Sequence, residues 1–175
     1  MLIFLLIFLV FSILLFFIIS SAFLGFLFTR VPFVPTHKAD IPDLVKKLGL
    51  TQQDVIYDLG SGNGKVVFLF EKHTGALVRG FESTLWTHLW AKIKKFFIKS
   101  KAELVYGNFW KSPWTEATVI YMYLFPPLMP LLAEKILVDC KPGTRIVSRD
   151  FENHALRKID EFQTPSGHTM YIYQV

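Results

Sequence analysis

The chain falls into two stretches with different hydrophobic patterns. Between Leu2 and Phe28 there is no charged residue and no proline, and only Ser12, Ser20, Ser21, Ala22 and Gly25 dilute a run of Leu, Ile, Phe and Val. A helix over 2–28 would be about 40 Å long, against a bilayer hydrocarbon core of about 30 Å, so it spans with room for tilt. A cleaved signal peptide would put a basic segment ahead of a shorter apolar core, and here no Lys or Arg precedes the run. Residues 1–29 are therefore expected to form one retained transmembrane helix.

After a stiff connector at 30–39, with Pro32 and Pro35 in V-P-F-V-P-T, the pattern becomes an alternation of short apolar runs and longer runs at helical spacing. A helix starts at Asp40-Ile-Pro-Asp43 and stops at Gly49. Strands are expected at 55–59, 77–82, 103–106, 118–124 and 145–149. Helices are expected at 65–73, at 84–99 with Leu85, Trp86, Leu89, Trp90, Ile93, Phe96 and Phe97 at helical spacing, and at 127–139 with Leu128, Leu131, Leu132 and Ile136 inward. Strand–helix alternation implies a parallel sheet with right-handed crossovers. Two final strand-like runs, 156–162 and 170–174, joined by Thr164-Pro-Ser-Gly167, read as a hairpin. The expected fold over 40–175 is α/β: a mostly parallel sheet closed by a C-terminal antiparallel hairpin, the layout of a Rossmann-like class I methyltransferase.

Charge changes the picture in one respect. All 19 Lys and Arg lie at or after Arg30, and the net charge is +5. With Arg30, Lys38, Lys46 and Lys47 following the apolar helix and nothing basic before it, the domain is expected on the cytoplasmic side, or the matrix side in a mitochondrion. Cys140 is the one cysteine, which fits a reducing compartment. The lysines at 92, 94, 95, 99 and 101 read as a solvated helix face or as contact with an anionic membrane surface. Nucleic acid is the other standard partner of basic charge, but no base-reading element accompanies it. The five histidines lack metal-ligand spacing, so no metal is expected.

Candidate chemistry gathers at strand ends. Asp58-Leu59-Gly60-Ser61-Gly62-Asn63-Gly64 follows one strand and opens a helix. Its glycines let the chain turn tightly and let a ligand approach the main chain. A carboxylate at the head of the loop suits a cation better than a phosphate, and S-adenosylmethionine carries both an ammonium and a sulfonium. Glu82 ends the next strand about 20 residues on, where an acid can hold both ribose hydroxyls; it also reads as a plain surface acid. Asn108, before Phe109, can accept from an adenine amino group or simply make a turn. Tyr121 and Tyr123 end the fourth strand before Phe125-Pro-Pro127. Amino-group DNA methyltransferases place Asn or Asp before such prolines, so Phe125 disfavours base methylation. The two tyrosines either line an aromatic channel for a lysine, with Tyr123 preferred, or pack in the core. Asp150, ending the fifth strand, is a candidate acceptor-pocket acid or a loop start.

Pro32-Phe-Val-Pro-Thr36, the 55–64 segment V-I-Y-D-L-G-S-G-N-G and the segment from Leu137 through Lys141-Pro-Gly-Thr-Arg-Ile-Val-Ser148 resemble the single-pass, membrane-anchored seven-β-strand protein-lysine methyltransferases. Mitochondrial members of that group act on the ATP synthase c subunit and the adenine nucleotide translocase. The glycine loop also resembles that of the non-SET histone lysine methyltransferases. The resemblance implies lysine N-methylation of a membrane or membrane-associated protein. By position, Asp58, Gly60, Gly62 and Gly64 would hold the methionine part of S-adenosylmethionine, Glu82 its ribose and Asn108 its adenine, with the connector near the active-site mouth. Departures are Asn63 where relatives have Asp, Ser83-Thr84-Leu85 where they tend to have Leu-Asn-Pro, and Asn108 in place of an acid. A small lipophilic methyl acceptor, or a non-catalytic scaffold keeping the fold, are the competing readings.

Overall fold

Five short apolar runs pair side by side as parallel strands: β1 (Val55–Leu59), β2 (Leu77–Glu82), β3 (Glu103–Tyr106), β4 (Val119–Met122) and β5 (Arg145–Arg149). A hairpin of β6 (Lys158–Gln163) and β7 (Thr169–Gln174) completes a seven-stranded sheet of order β3-β2-β1-β4-β5-β7-β6, with β7 antiparallel to both neighbours. The order follows burial. β1, β4 and β5 are nearly all buried and lie centrally, whereas β3 and β6 have mostly exposed or half-buried residues and form the edges. The chain moves outward from β1 to β2 and β3, then crosses back to β4. That reversal splays the loops at the carboxyl ends of β1 and β4 and opens a crevice there.

The computed structural model describes residues 2–29 and 39–175; the proline connector at 31–36 and its expected place at the active-site mouth lie outside them. The chain divides into two units, Met1–Pro32 and Phe33–Val175. The first is α1 (Leu2–Thr29), an uninterrupted helix. Its side chains are described at 3–17 and 19–20, and they are apolar and mostly exposed, with the Ser12 hydroxyl donating to the Phe8 carbonyl at 2.8 Å. Counted over residues whose side chains are described, no helix is long and apolar enough to cross a membrane: within α1 the run 3–17 measures roughly 22 Å against about 30 Å of hydrocarbon.

In the second unit, α2 (Asp40–Leu48) and α3 (Lys65–Thr74) cover one sheet face. Ile41, Leu44, Val67 and Phe70 close over Ile56, Val78, Val119, Tyr121 and Val147 in a single core. α2 stops at Gly49, a left-handed residue whose N–H returns to the Lys46 carbonyl. The remaining helices are α4 (Leu85–Ile98) and α5 (Met129–Asp139).

Several expectations need correction. The helix expected at 127–139 begins with a separate 3-10 turn, Pro126–Leu128, because two successive prolines lack N–H donors. Within α5, Leu132 and Ile136 are buried as expected but Leu131 is exposed. The fourth strand is shorter than expected, and both hairpin strands are shifted by one or two residues. α4 departs most. Leu85, Trp86, Leu89, Trp90, Ile93, Phe96 and Phe97 are all exposed, and the residues it buries are His88 and Ala91.

Candidate functional site

The carboxyl ends of β1 and β2 are locked together through the glycine loop. The Gly60 and Ser61 N–H groups both donate to the Phe81 carbonyl, at 3.0 and 2.8 Å. The Glu82 carboxylate accepts from Gly62 N–H at 2.9 Å and from Thr84 N–H at 2.6 Å. One acid thus ties the loop to the start of α4, and its remaining lone pairs stay available to hydroxyl donors. Gly64 begins α3 with φ +75°, and a Cβ there would lie 2.8 Å from the Phe68 ring. Gly80 supports the loop from below: a Cβ on it would meet Val67 Cγ2 at 2.5 Å and Ser61 Cβ at 2.8 Å. The Gly80 requirement has no local sequence signal, since both neighbours come from distant parts of the chain.

Asp58 stands at the head of this loop, 3% exposed, and its Oδ2 has no hydrogen-bond partner. Burial first, and the nearby Glu82 charge second, push its carboxyl up to about 8. A buried carboxylate without a partner is unfavourable. Such an atom beside a glycine turn fits a cationic ligand group, and it is the observation that matches the expected cofactor. Asp58, Leu59, Gly60, Ser61, Gly62, Gly64 and Glu82 are thus brought together as expected.

At the end of β3, the Asn108 Oδ1 accepts from Trp110 N–H at 3.0 Å and caps the 3-10 turn Phe109–Lys111. The oxygen expected to face adenine therefore already serves a turn, with one lone pair left. Phe109 packs against Trp110 and the fully buried Trp114, centroids 5.0 and 6.2 Å away.

The fourth-strand tyrosines separate. Tyr121 is 1% exposed and sits edge-on to Phe70 at 5.6 Å inside the core, the packed alternative that the sequence left open for it. Tyr123 is half-buried at the strand end. It stacks on Phe151 at 5.9 Å and 22°, and Phe125 meets Phe151 edge-on at 6.4 Å. Burial, then the neighbouring Asp150, raises the Tyr123 hydroxyl above its ordinary value. Asp150 holds a left-handed backbone, φ +60°, uncommon outside glycine. Its carboxylate contacts His168 Nδ1 at 2.8 Å and accepts from Thr169 N–H at 3.1 Å, fixing the hairpin against β5. Beneath it, Arg149 is 1% exposed and pairs with the buried Asp40 at 3.2 Å, its guanidinium 4.9 Å from the Tyr123 ring centroid.

Phe125, Phe151, Arg149, Asp40 and His168 were not expected here. Arg149 carried a usable signal, because a cation in a strand otherwise buried demands a partner. The others depend on contacts across the chain.

The fold and much of the sequence are similar to known proteins. Residues 58–159 match the ANTKMT methyltransferase domain. The chain is 30% identical over 155 residues to a protein-lysine N-methyltransferase of Saccharolobus islandicus (strain REY15A), covering 83% of this chain and 94% of that protein. It is 24% identical over 123 residues to the lysine N-methyltransferase of the ATP synthase c subunit from Rattus norvegicus, covering 69% of this chain and 56% of that protein, so it spans little more than half of the rat enzyme. Among solved structures, an RNA methyltransferase from Salinibacter ruber in complex with S-adenosyl-L-homocysteine superposes with a TM-score of 0.74 at 28% identity, over 81% of this chain and 94% of that one. The chain belongs to the ANTKMT methyltransferase family and is an S-adenosylmethionine-dependent methyltransferase.

Proposed function

We propose that this enzyme methylates the ε-amine of a lysine on a membrane or membrane-associated protein. The reading is carried by the buried Asp58 carboxylate at the glycine loop, whose Oδ2 has no hydrogen-bond partner. In it, Asp58 receives the cofactor's ammonium and the glycine loop its methionine portion. Glu82 takes the ribose hydroxyls, and Asn108 with Phe109 borders the adenine. When bound, S-adenosylmethionine supplies a methyl group on a positively charged sulfur.

The acceptor side is Tyr123, Phe125 and Phe151. A lysine stem packs against aromatic faces, and a cation over them gains roughly 0.5–2 kcal/mol. Lysine must be neutral to react, from a reference pKa of about 10.4, and desolvation between aromatic rings lowers that value. Asp150, in contact with Tyr123 and His168, is placed to accept the proton or hold the tyrosine. The enzyme's own contribution is orientation and exclusion of water. The lysine acceptor is supported by the two lysine methyltransferase relatives.

The membrane is supported by the uncharged sequence of α1 and by its apolar side chains, exposed on all faces wherever they are described. In this reading α1 is a single-pass anchor, with the basic flank holding the enzyme on the cytoplasmic or matrix side.

The full chain, incubated with methyl-labelled S-adenosylmethionine and membranes, should label protein at methyl-lysine, as read by mass spectrometry, and Asp58→Asn should label at least severalfold less at subsaturating S-adenosylmethionine. RNA is the acceptor that the Salinibacter structure favours. Label recovered in RNA, or in lipid extract, overturns the lysine reading.

A further inference from the structure

α4 is built inside out. Its inward residues are small or polar, His88 and Ala91, while Trp86, Trp90, Phe96 and Phe97 are 51%, 55%, 78% and 76% exposed, with Leu85, Leu89, Ile93 and Ile98 beside them. A surface helix ordinarily shows the reverse, and so large a contiguous apolar face marks a contact. Between 85 and 101 the chain carries Lys92, Lys94, Lys95, Lys99 and Lys101 and no Asp or Glu. Tryptophan and phenylalanine interleaved with lysine is the chemistry of a helix lying in a bilayer interface: rings enter the headgroup boundary while lysine stems reach out to anionic phosphates.

We propose that α4 is a membrane-contact element that seats the catalytic domain on an anionic bilayer surface, beyond any attachment through α1. Lipid is favoured over a second copy by charge. In a two-fold contact through this face, one set of lysines would meet the other with no acid on the helix to pair them. The placement has a consequence for the site. α4 begins three residues after Glu82, whose carboxylate is bonded to Thr84 N–H at the helix start, so a helix lying on the bilayer holds the cofactor loop at the membrane surface. A substrate lysine close to the headgroups is then within reach, and one far out in solvent is not.

The test uses the full chain in vesicles whose phospholipids carry brominated acyl chains. All four tryptophans, Trp86, Trp90, Trp110 and Trp114, lie outside α1, so quenching reports the domain and not the helix. Flotation of the chain with the vesicles reports attachment through α1 separately. In vesicles containing phosphatidylserine, tryptophan emission should be quenched. Trp86→Phe with Trp90→Phe should abolish that quenching, and Lys92→Glu with Lys99→Glu should weaken it severalfold while flotation persists. These residues are exposed, so the variants keep the core. Unquenched emission from floated protein overturns the proposal. So does self-crosslinking at Phe96 and Phe97 in place of quenching, which would assign the face to a second copy.

Discussion

The two ends of one sheet edge are assembled differently. At β1 and β2 the site is made from main chain and two acids: N–H groups of Gly60, Ser61 and Gly62, the Phe81 carbonyl, Asp58 and Glu82. At β4 and β5 it is made from side chains delivered by distant segments: Tyr123, Phe125 and Phe151 above a buried Arg149–Asp40 pair, with His168 from the hairpin holding Asp150. The first end can recognise a ligand whose parts do not vary, because backbone geometry changes little with sequence. In the proposed reading the second faces the acceptor, and among the described ring contacts none joins it to the loop. A methyltransferase needs both, a fixed donor grip and an adjustable acceptor wall.

The buried pair is where the acceptor end is most vulnerable. Removing one partner leaves an uncompensated charge, a loss of about 3–5 kcal/mol, while replacing both with apolar residues is often neutral. Arg149→Met should therefore lower the thermal midpoint sharply, and Asp40→Leu with Arg149→Met should recover much of it. A single variant as stable as the parent would show that Arg149 does not organise this end.

The cofactor end answers to charge of another kind. Asp58→Asn should weaken S-adenosylmethionine binding roughly tenfold to 150-fold, the equivalent of one charge-assisted contact of about 1.5–3 kcal/mol. Ligand-free Asp58 stays protonated up to about 8, whereas gripping an ammonium requires the ionised form. Binding below that pH must expel a proton, so affinity should rise by up to about tenfold per pH unit from 6 toward 8. Without ligand the sign reverses. The folded chain holds this proton more tightly than the unfolded chain, so stability falls between about pH 4 and 8. Calorimetry in buffers of different ionisation enthalpy reads the proton directly, and Asp58→Asn should release none. Equal proton release by both proteins would remove Asp58 from the ammonium site.

Legibility followed the same divide. β1, β2, β3 and β5 and the glycine turn after β1 were readable because each shows in a short run of its own sequence. The acceptor wall was not. Asp40 reaches Ser166 and Arg149, pairings that no local pattern encodes, and Tyr121 and Tyr123 share a strand face yet only depth in the core separates them. On α4, periodicity revealed an apolar face but not what that face meets, and the structure turns it outward. Gly80 belongs to the same class of hidden requirement. Gly80→Ala drives a methyl into Val67 and Ser61, so it should cost about 1–3 kcal/mol of stability and displace the glycine loop, weakening cofactor binding as well. Lost stability with unchanged cofactor affinity would mean the loop is not held by this contact.

The smallest effect is the one that separates the two ends most cleanly. Phe151 stacks on Tyr123 and meets Phe125, and among the described contacts none joins it to the glycine loop. Phe151→Leu keeps the apolar bulk but removes the ring face, so it forfeits roughly 0.5–2 kcal/mol of attraction for a lysine side chain. That corresponds to a rise of about twofold to thirtyfold in KM for the protein acceptor. Cofactor affinity, measured by calorimetry without acceptor, should not move. A variant that loses cofactor binding in step with acceptor KM would show the two ends to be one coupled site, and the division between a fixed grip and an adjustable wall would fail. If acceptor KM alone rises, Phe151→Tyr should restore it, because tyrosine returns the ring face that leucine lacks.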